Sequence, residues 1–537
     1  MMKQRPPTSP NAWDYVVIGA GSAGCAVAHE LVCANAGRVL LIEAGGSDKS
    51  PLIRVPVLVT EAVKTFDWGY VSEPDASREG RREGWARGRV LGGSSSINGM
   101  MFVRGARNDF DRWAAKQIPG WAWEDVAPIY KALETSDQRS EERGRAGPLA
   151  VRTVRRPHRL TRAFLDAAES AGYPINPDYN ARSQEGVSLA QLSQRNGERF
   201  SAADAFVRPL RDNQNLTVWT DCAVERLRFE GRRVVSAIVR RAGVAEEVHA
   251  ANFILSAGAV GTPKLLLQSG VGEAAALKAI GIDPVVDAPE VGRNLAEHPL
   301  VRLVYETKVQ SNNLTGGPLQ SAGIFAKYML FRQGVMASVF EGIGFLKSKP
   351  ELDHPDLQLH FLPFGVLDPV LHEAPRLNVP SVTIYVNLSY PQGRGRLSLR
   401  SIDPDAPPLI ASKLLGDAAD VEAMVRGVEI VRGIMNQDPM SKLVKREIKP
   451  GPEQTTAEEL RAYLPSHTEI AYHIVGTCRM GTDPQAVVSS DLKINGVENA
   501  WIADASIMPD LISGNTNAVC MMIGMKLGRA LSSRRVR

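Results

Sequence analysis

A glycine run held between two apolar segments constrains this chain more than any other feature. Tyr15-Val16-Val17-Ile18 is a short apolar run of buried-strand type, and Gly19-Ala20-Gly21-Ser22-Ala23-Gly24 follows it directly. From Ser22 to Cys33 the chain is Ala-rich, with Gly24 its only Gly or Pro, which suits a helix. A second apolar run, Arg38-Val39-Leu40-Leu41-Ile42, ends in Glu43, 19 residues past Gly24. Strand, glycine turn, helix, strand and acid form, in that order, a dinucleotide-binding unit. Gly19 permits the tight turn, Gly21 lets the backbone approach a pyrophosphate, and Gly24 lets the helix close on the strand. The helix N-terminus offers unpaired N–H groups and positive dipole charge to the phosphates. Glu43, followed by Ala44, can accept hydrogen bonds from the ribose hydroxyls of the adenosine half. The glycines alone are weak evidence, since a glycine turn needs no ligand; the whole context carries the reading.

Length and composition bound the rest. A chain of 537 residues has material for more than one lobe and a large core. With 44% hydrophobic and 23% charged residues it reads as an ordinary globular protein. The net charge of +4, from 63 basic against 59 acidic residues, implies no nucleic-acid or anionic-surface partner. The tail Arg534-Arg535-Val536-Arg537 reads as solvated chain, and Met1 to Asn11 lacks the apolar segment of a secretory signal. No apolar run is long enough to span a bilayer. Cys25, Cys33, Cys222, Cys478 and Cys520 show no CxxC and no regular spacing, so a cytoplasmic protein with buried thiols is expected, without disulfides or a metal site.

No internal repeat or low-complexity linker is present. The charged stretch Asp137 to Gly147 reads as an excursion between lobes. Val234 to Gly258 alternates as strands do, and Pro263 to Ser269 reads as the first turns of a helix, with Pro at its start. Val382 to Leu388 and Arg396 to Leu399 read as strands of a second sheet, since no phosphate-binding turn accompanies them. Thr516 to Leu531 reads as an apolar, Met-rich helix opening after Gly514-Asn515, with Met521, Met522 and Met525 in its core face.

Four further segments carry chemistry. Gly88-Arg89-Val90-Leu91-Gly92-Gly93-Ser94-Ser95-Ser96-Ile97-Asn98-Gly99-Met100 brings backbone N–H groups close to a ligand, with apolar anchors that a flexible linker would lack. Ser256-Ala257-Gly258-Ala259-Val260-Gly261-Thr262-Pro263 runs from a strand into a helix. Tyr472-His473-Ile474-Val475-Gly476-Thr477-Cys478-Arg479-Met480-Gly481 is the third, and Asp504-Ala505-Ser506 with Gly514-Asn515-Thr516-Asn517 the fourth.

Together these segments closely resemble the glucose–methanol–choline (GMC) oxidoreductase family, and the resemblance runs from Asp14 to about Leu531. Gly292-Arg293-Asn294-Leu295 with His298-Pro299, and Arg394-Gly395-Arg396-Leu397, are weaker matches. Choline dehydrogenases and other bacterial alcohol dehydrogenases look nearest, aided by Phe340-Glu341 before Gly344-Phe345. The resemblance implies a two-lobe α/β fold: a discontinuous Rossmann-like FAD-binding lobe (13–150, 196–299 and 466–535) and a substrate lobe with a mostly antiparallel sheet (151–195 and 300–465). It implies FAD-dependent oxidation of a primary alcohol to an aldehyde, with oxygen or a quinone-like molecule as electron acceptor. His473 aligns with the family's active-site histidine and Asn515 with its partner. A neutral imidazole suits removal of the hydroxyl proton, and an amide can orient the substrate oxygen. Flavin N5 receives the hydride, and the helix opening at Thr516-Asn517 favours negative charge on the reduced ring. Trp68, Val224, Asp504 and Ala505 join Arg89, Asn98 and the glycines in the set expected around FAD. Some relatives attach FAD through a histidine where this chain has Ile97, so the cofactor is expected to be held non-covalently.

His298, His354, His360 and His467 read as structural histidines and Cys478 as a small buried residue. Glu341 reads equally as an acid meeting a cationic substrate or as a structural one. Alternatives are an FAD-containing hydroxynitrile lyase without net redox, oxidation of a sugar or secondary alcohol, a nicotinamide-dependent enzyme sharing only the nucleotide fold, and an idle flavin scaffold.

Overall fold

The computed structural model describes residues 13–313, 317–367 and 377–533; Met1–Asn11 and the Arg534–Arg537 tail lie outside them. The opening unit folds as its pattern requires: β1 (Trp13–Ile18), α1 (Ser22–Cys33) and β2 (Val39–Ile42). β1 and β2 run parallel, with Tyr15 opposite Val39. From Tyr15 to Ile18 and from Val39 to Ile42 the side chains are apolar on both faces, as a strand covered on both sides must be. The sheet they start runs Leu216–Trp219, β2, β1, Val244–Leu255, Arg233–Arg241, Cys222–Glu230, with Ala500–Ile502 joined to Val244–Leu255. Strands from the first, middle and last parts of the chain thus meet in one sheet.

The C-terminal helix Asn517–Ser533 packs along α1. Two glycines allow the approach, since a Cβ at Gly524 would strike the Ala23 backbone and one at Gly528 would lie 2.6 Å from Glu30 Cβ. Ser22 Oγ donates to Asn517 Oδ1 at 2.6 Å, so the two helix N-termini sit side by side.

A second, wholly antiparallel sheet runs Val444–Lys449, Pro299–Thr307, Ser381–Leu388, Leu357–Leu362, Gly342–Leu346, Gly186–Leu189, with Glu469–Ile470 paired to Pro299–Thr307. Alternation divides its faces. Val301, Leu303, Leu359, Phe361, Ile384 and Val386 point into a core shared with helices Arg159–Ser170 and Ala418–Met435. The opposite face looks toward the first sheet's lobe.

Three local readings are corrected. The strand at Arg396–Ser398 pairs with Leu409–Ala411 in a separate two-stranded sheet, and Leu397 and Ile410 pack into the core of the first lobe. The helix read as opening at Pro263 begins at Gly258 and runs to Gln268. Pro263 cannot donate to the Ala259 carbonyl four residues back, and the Thr477 hydroxyl, at 2.7 Å, donates to that oxygen instead. The charged stretch Asp137 to Gly147 is no free excursion. Arg143 within it is buried against Glu134 and Asp178, each at 2.6 Å, and Arg104 joins Glu134 at 2.7 Å. Among the described residues no helix is long and apolar enough to cross a membrane.

Candidate active site

One cavity of about 1240 Å³ lies between the carboxyl ends of the first sheet's parallel strands and the inner face of the second sheet. At the first sheet its wall is backbone and small residues: Gly19, Gly21, Ser22 and Ala23 from the turn and α1, Ala257 and Gly258 beyond Val244–Leu255, and Thr516 and Asn517 at the C-terminal helix. Close packing explains the glycines. A Cβ at Gly19, where φ is +101°, would sit 2.5 Å from the Ser256 carbonyl oxygen. One at Gly24 would fall on the Gly19 carbonyl, so that residue keeps α1 against β1 and does not line the cavity.

The Gly88–Met100 loop is strapped over the turn. Gly92 N donates to Ala20 O at 2.8 Å, and a Cβ at Gly93 would come within 2.7 Å of Gly21 Cα. Arg89, Gly93, Ser94, Asn98, Gly99 and Met100 line the cavity; Gly92 does not, and Val90 is buried with Ile53, Ala62 and Ile97. Asn98 is held by Arg199, whose Nη1 donates to Asn98 Oδ1 at 2.8 Å. Arg199 escaped the sequence reading because nothing local ties it to a residue 101 positions earlier.

Glu43 and Ala44 line the same end, with Trp68 and Val224. The Glu43 carboxylate accepts from Ala20 N at 3.0 Å and Gly45 N at 2.9 Å, and burial pushes its pKa up to about 7. Asp504 and Ala505 also reach the wall. Asp504 accepts from Gly258 N at 2.9 Å and Thr262 Oγ1 at 2.6 Å, tying the start of helix Gly258–Gln268 to the cavity. A side-chain-free backbone cradle, two adjacent helix N-termini and a buried acid at the far end fit a dinucleotide with its pyrophosphate on the glycine turn.

The other end holds the pair expected from sequence to be reactive. His473 and Asn515, 42 residues apart, meet with Asn515 Nδ2 2.9 Å from His473 Nε2. Behind them lies a buried hydrogen-bond chain. His298 Nε2 faces the carbonyl oxygens of Ser389 and Ile512, both at 3.1 Å, so that nitrogen carries a proton. His298 Nδ1 is therefore an acceptor, and His473 Nδ1, 3.0 Å away, donates to it. His473 Nε2 keeps its lone pair, turned toward Asn515. Gln358 Nε2 donates to Asn515 Oδ1 at 3.0 Å, which turns the Asn515 amino group toward His473. Glu297 Oε1 accepts from His473 N at 2.7 Å and His298 N at 2.9 Å, fixing both backbones. Burial, with His298, His360 and Arg87 nearby, holds the His473 pKa well below the usual histidine range; burial likewise takes His298 to about 4 and His360 to about 3. These imidazoles are neutral at pH 7.

His298 and His360, read as structural, lie beside His473: His360 lines the cavity and His298 backs His473. Glu341 does not line it. Its carboxylate accepts from His158 N at 2.7 Å and Thr161 Oγ1 at 2.6 Å, so of its two readings the structural one holds. His354 contacts Asn108, Cys478 is fully buried, and Met521, Met522 and Met525 pack in the core.

The GMC oxidoreductase family's N-terminal profile matches residues 13–300 and its C-terminal profile residues 391–524. An alcohol dehydrogenase (acceptor) of Pseudomonas putida is 38% identical over 522 residues, spanning 95% of this chain and 94% of its own. An oxygen-dependent choline dehydrogenase of Sinorhizobium medicae is 37% identical over 521 residues, spanning 96% and 94%. Among solved structures, pyridoxine 4-oxidase from Mesorbium loti superposes with a TM-score of 0.88 at 30% identity, covering 96% of this chain and 98% of its own. A formate oxidase of Aspergillus oryzae RIB40, in a study of FAD modification, gives 0.90 at 25% identity, covering 99% and 100%. The protein belongs to the GMC oxidoreductase family and is an FAD-dependent oxidoreductase.

Proposed function

We propose that this enzyme oxidises a primary alcohol to an aldehyde, with His473 as general base and Asn515 as the group that orients the substrate oxygen. The observation carrying this reading is the chain from the Ser389 and Ile512 carbonyls through His298 to His473, which leaves the His473 Nε2 lone pair beside the Asn515 amide. An alcohol entering between the two donates its O–H to Nε2 and accepts from Asn515 Nδ2. Bound FAD supplies the hydride acceptor at flavin N5. The depressed pKa keeps Nε2 unprotonated at neutral pH. So weak a base takes no proton from a resting alcohol; it takes one as the C–H electron pair leaves and the hydroxyl becomes strongly acidic. RCH2OH then yields RCHO, one proton on His473 and one hydride. Asn515 Nδ2, donating to the same oxygen, keeps its O–H aimed at Nε2 throughout. The first sheet's lobe holds FAD, and the second sheet faces the substrate. Reoxidation by oxygen or a quinone-like acceptor completes the cycle.

Anaerobic stopped-flow bleaching of the flavin tests this. His473→Ala should retain FAD and slow bleaching by roughly 10²–10⁴-fold, the usual worth of a general base. A near-wild-type rate at full FAD occupancy removes His473 from the mechanism. Flavin that no alcohol bleaches, in an enzyme that cleaves cyanohydrins, would favour the hydroxynitrile lyase reading instead.

A further inference from the structure

We infer that the substrate is neutral and apolar beyond its hydroxyl, an aliphatic or aryl primary alcohol, and that a quaternary-ammonium alcohol is disfavoured; this rests on the alcohol-oxidation reading above. Strand alternation turns Leu300 and Arg302, His360 and Leu362, and Tyr385 toward the cavity. The wall continues through Val335, Met336, Val339, Phe340, Phe364 and Val366. Four of the five carboxylates that line the cavity among the described residues, Glu43, Glu225, Asp405 and Asp504, are at the nucleotide end. The fifth, Glu469, is ion-paired to Arg302 and neutralised by it. An ammonium head could instead use an aromatic face; the Arg302 guanidinium already lies 5.4 Å from the centre of the Tyr385 ring and Phe340 packs edge-on with His360, which leaves Phe364 of the wall aromatics named above. Arg87, donating to Tyr472 O at 3.0 Å, adds a second guanidinium to the lining, itself paired with buried Glu297 at 3.9 Å. A cationic substrate would leave water to meet two guanidinium groups whose neighbouring carboxylates, Glu469 and Glu297, are already paired with them. A polyol would lose hydration against an apolar wall with few groups to replace it. An alkyl or aryl chain gains from the same wall.

The test uses the FAD-loaded enzyme under anaerobic conditions, with flavin bleaching as readout. Choline and 3,3-dimethylbutan-1-ol have the same shape and differ in charge. The neutral isostere should reduce the flavin with an apparent second-order constant at least tenfold higher. From ethanol to hexan-1-ol the constant should rise about threefold to fourfold per methylene, and glycerol should fall below hexan-1-ol. Choline matching or exceeding its isostere, or glycerol exceeding hexan-1-ol, overturns the inference while leaving alcohol oxidation intact. Failure of every alcohol to bleach a flavin that dithionite reduces overturns both. Arg302→Met, which releases Glu469 from its partner, should raise choline relative to the isostere at least tenfold with the bound-flavin spectrum unchanged. An unchanged ratio in a folded, FAD-loaded variant overturns the electrostatic argument.

Discussion

At the residue scale the proposed chemistry depends on which nitrogen of each histidine holds a proton. His298→Phe removes the acceptor for His473 Nδ1–H, so the His473 ring is no longer held in one tautomer. Flavin reduction should fall about ten- to a hundredfold, by analogy with metal-ligating histidines that lose the hydrogen bond orienting them, with FAD still bound. A pH series separates this from a packing effect. In the wild type His473 takes up a proton only well below the usual histidine range, so the rate should be flat from pH 8 through 6.5 and fall only at more acid pH. His298 is neutral in this range and its Nδ1 accepts from His473 Nδ1–H, a bond that favours the imidazolium, so in His298→Phe the acid limb should move further down. An unmoved limb would show that His298 only fills space. At the far end of the cavity, Glu43 accepts from two backbone N–H groups. Glu43→Gln replaces one acceptor oxygen with a donor, losing charge-assisted bonds of about 1.5–3 kcal/mol each. FAD affinity should drop about ten- to a hundredfold, read from flavin retained in a dilution series; unchanged retention would mean that the carboxylate does not meet the ribose.

At the element scale, close approach is what the glycines and one hydroxyl make possible. Gly24 lets α1 lie on β1, and Gly524 and Gly528 let the C-terminal helix lie on α1, so two helix N-termini open onto one cavity. Helix Gly258–Gln268 carries a proline in its interior because Thr477 satisfies the carbonyl that Pro263 cannot. Thr477→Val keeps the shape and leaves the Ala259 carbonyl buried without that donor, a loss of about 1–3 kcal/mol. The expected outcome is a lower denaturant midpoint with an unchanged slope. A wild-type midpoint would show that another group had taken the hydroxyl's place.

At the scale of the whole molecule, the cavity wall is drawn from residues near Gly19, Gly93, Gly258, His473 and Asn517, so a ligand filling it touches segments from most of the chain. FAD should therefore stabilise the fold as a unit. At a hundredfold excess over its Kd a ligand adds about 2.7 kcal/mol, and stripping it should lower the unfolding temperature by several degrees, restored on reconstitution. Ile97, a hydrocarbon lining the cavity, offers no atom for a bond to the flavin. Acid precipitation should leave the yellow colour in the supernatant; colour in the protein pellet would contradict non-covalent binding.

The opening β1–α1–β2 unit was legible in sequence because its signals are local: apolar runs, turn glycines and an acid at fixed spacing within some thirty residues. α1 begins and ends where its composition says it should. His473 and Asn515 were picked out through the family resemblance rather than through local pattern, and the fold sets them 2.9 Å apart. Tertiary structure alone decided the rest. The start of helix Gly258–Gln268 depended on a hydroxyl 218 residues away from the carbonyl it satisfies. The place of Arg396–Ser398 depended on which sheet edge was open to it, and the burial of Arg143 on acids brought in from two other segments. His298 reads as one more core histidine until the fold sets it 3.0 Å from His473, 175 positions later in the chain. Periodicity and spacing encode what neighbouring residues do. A proton's position on an imidazole, and the charge that meets a substrate, are set by atoms that only the folded chain brings together.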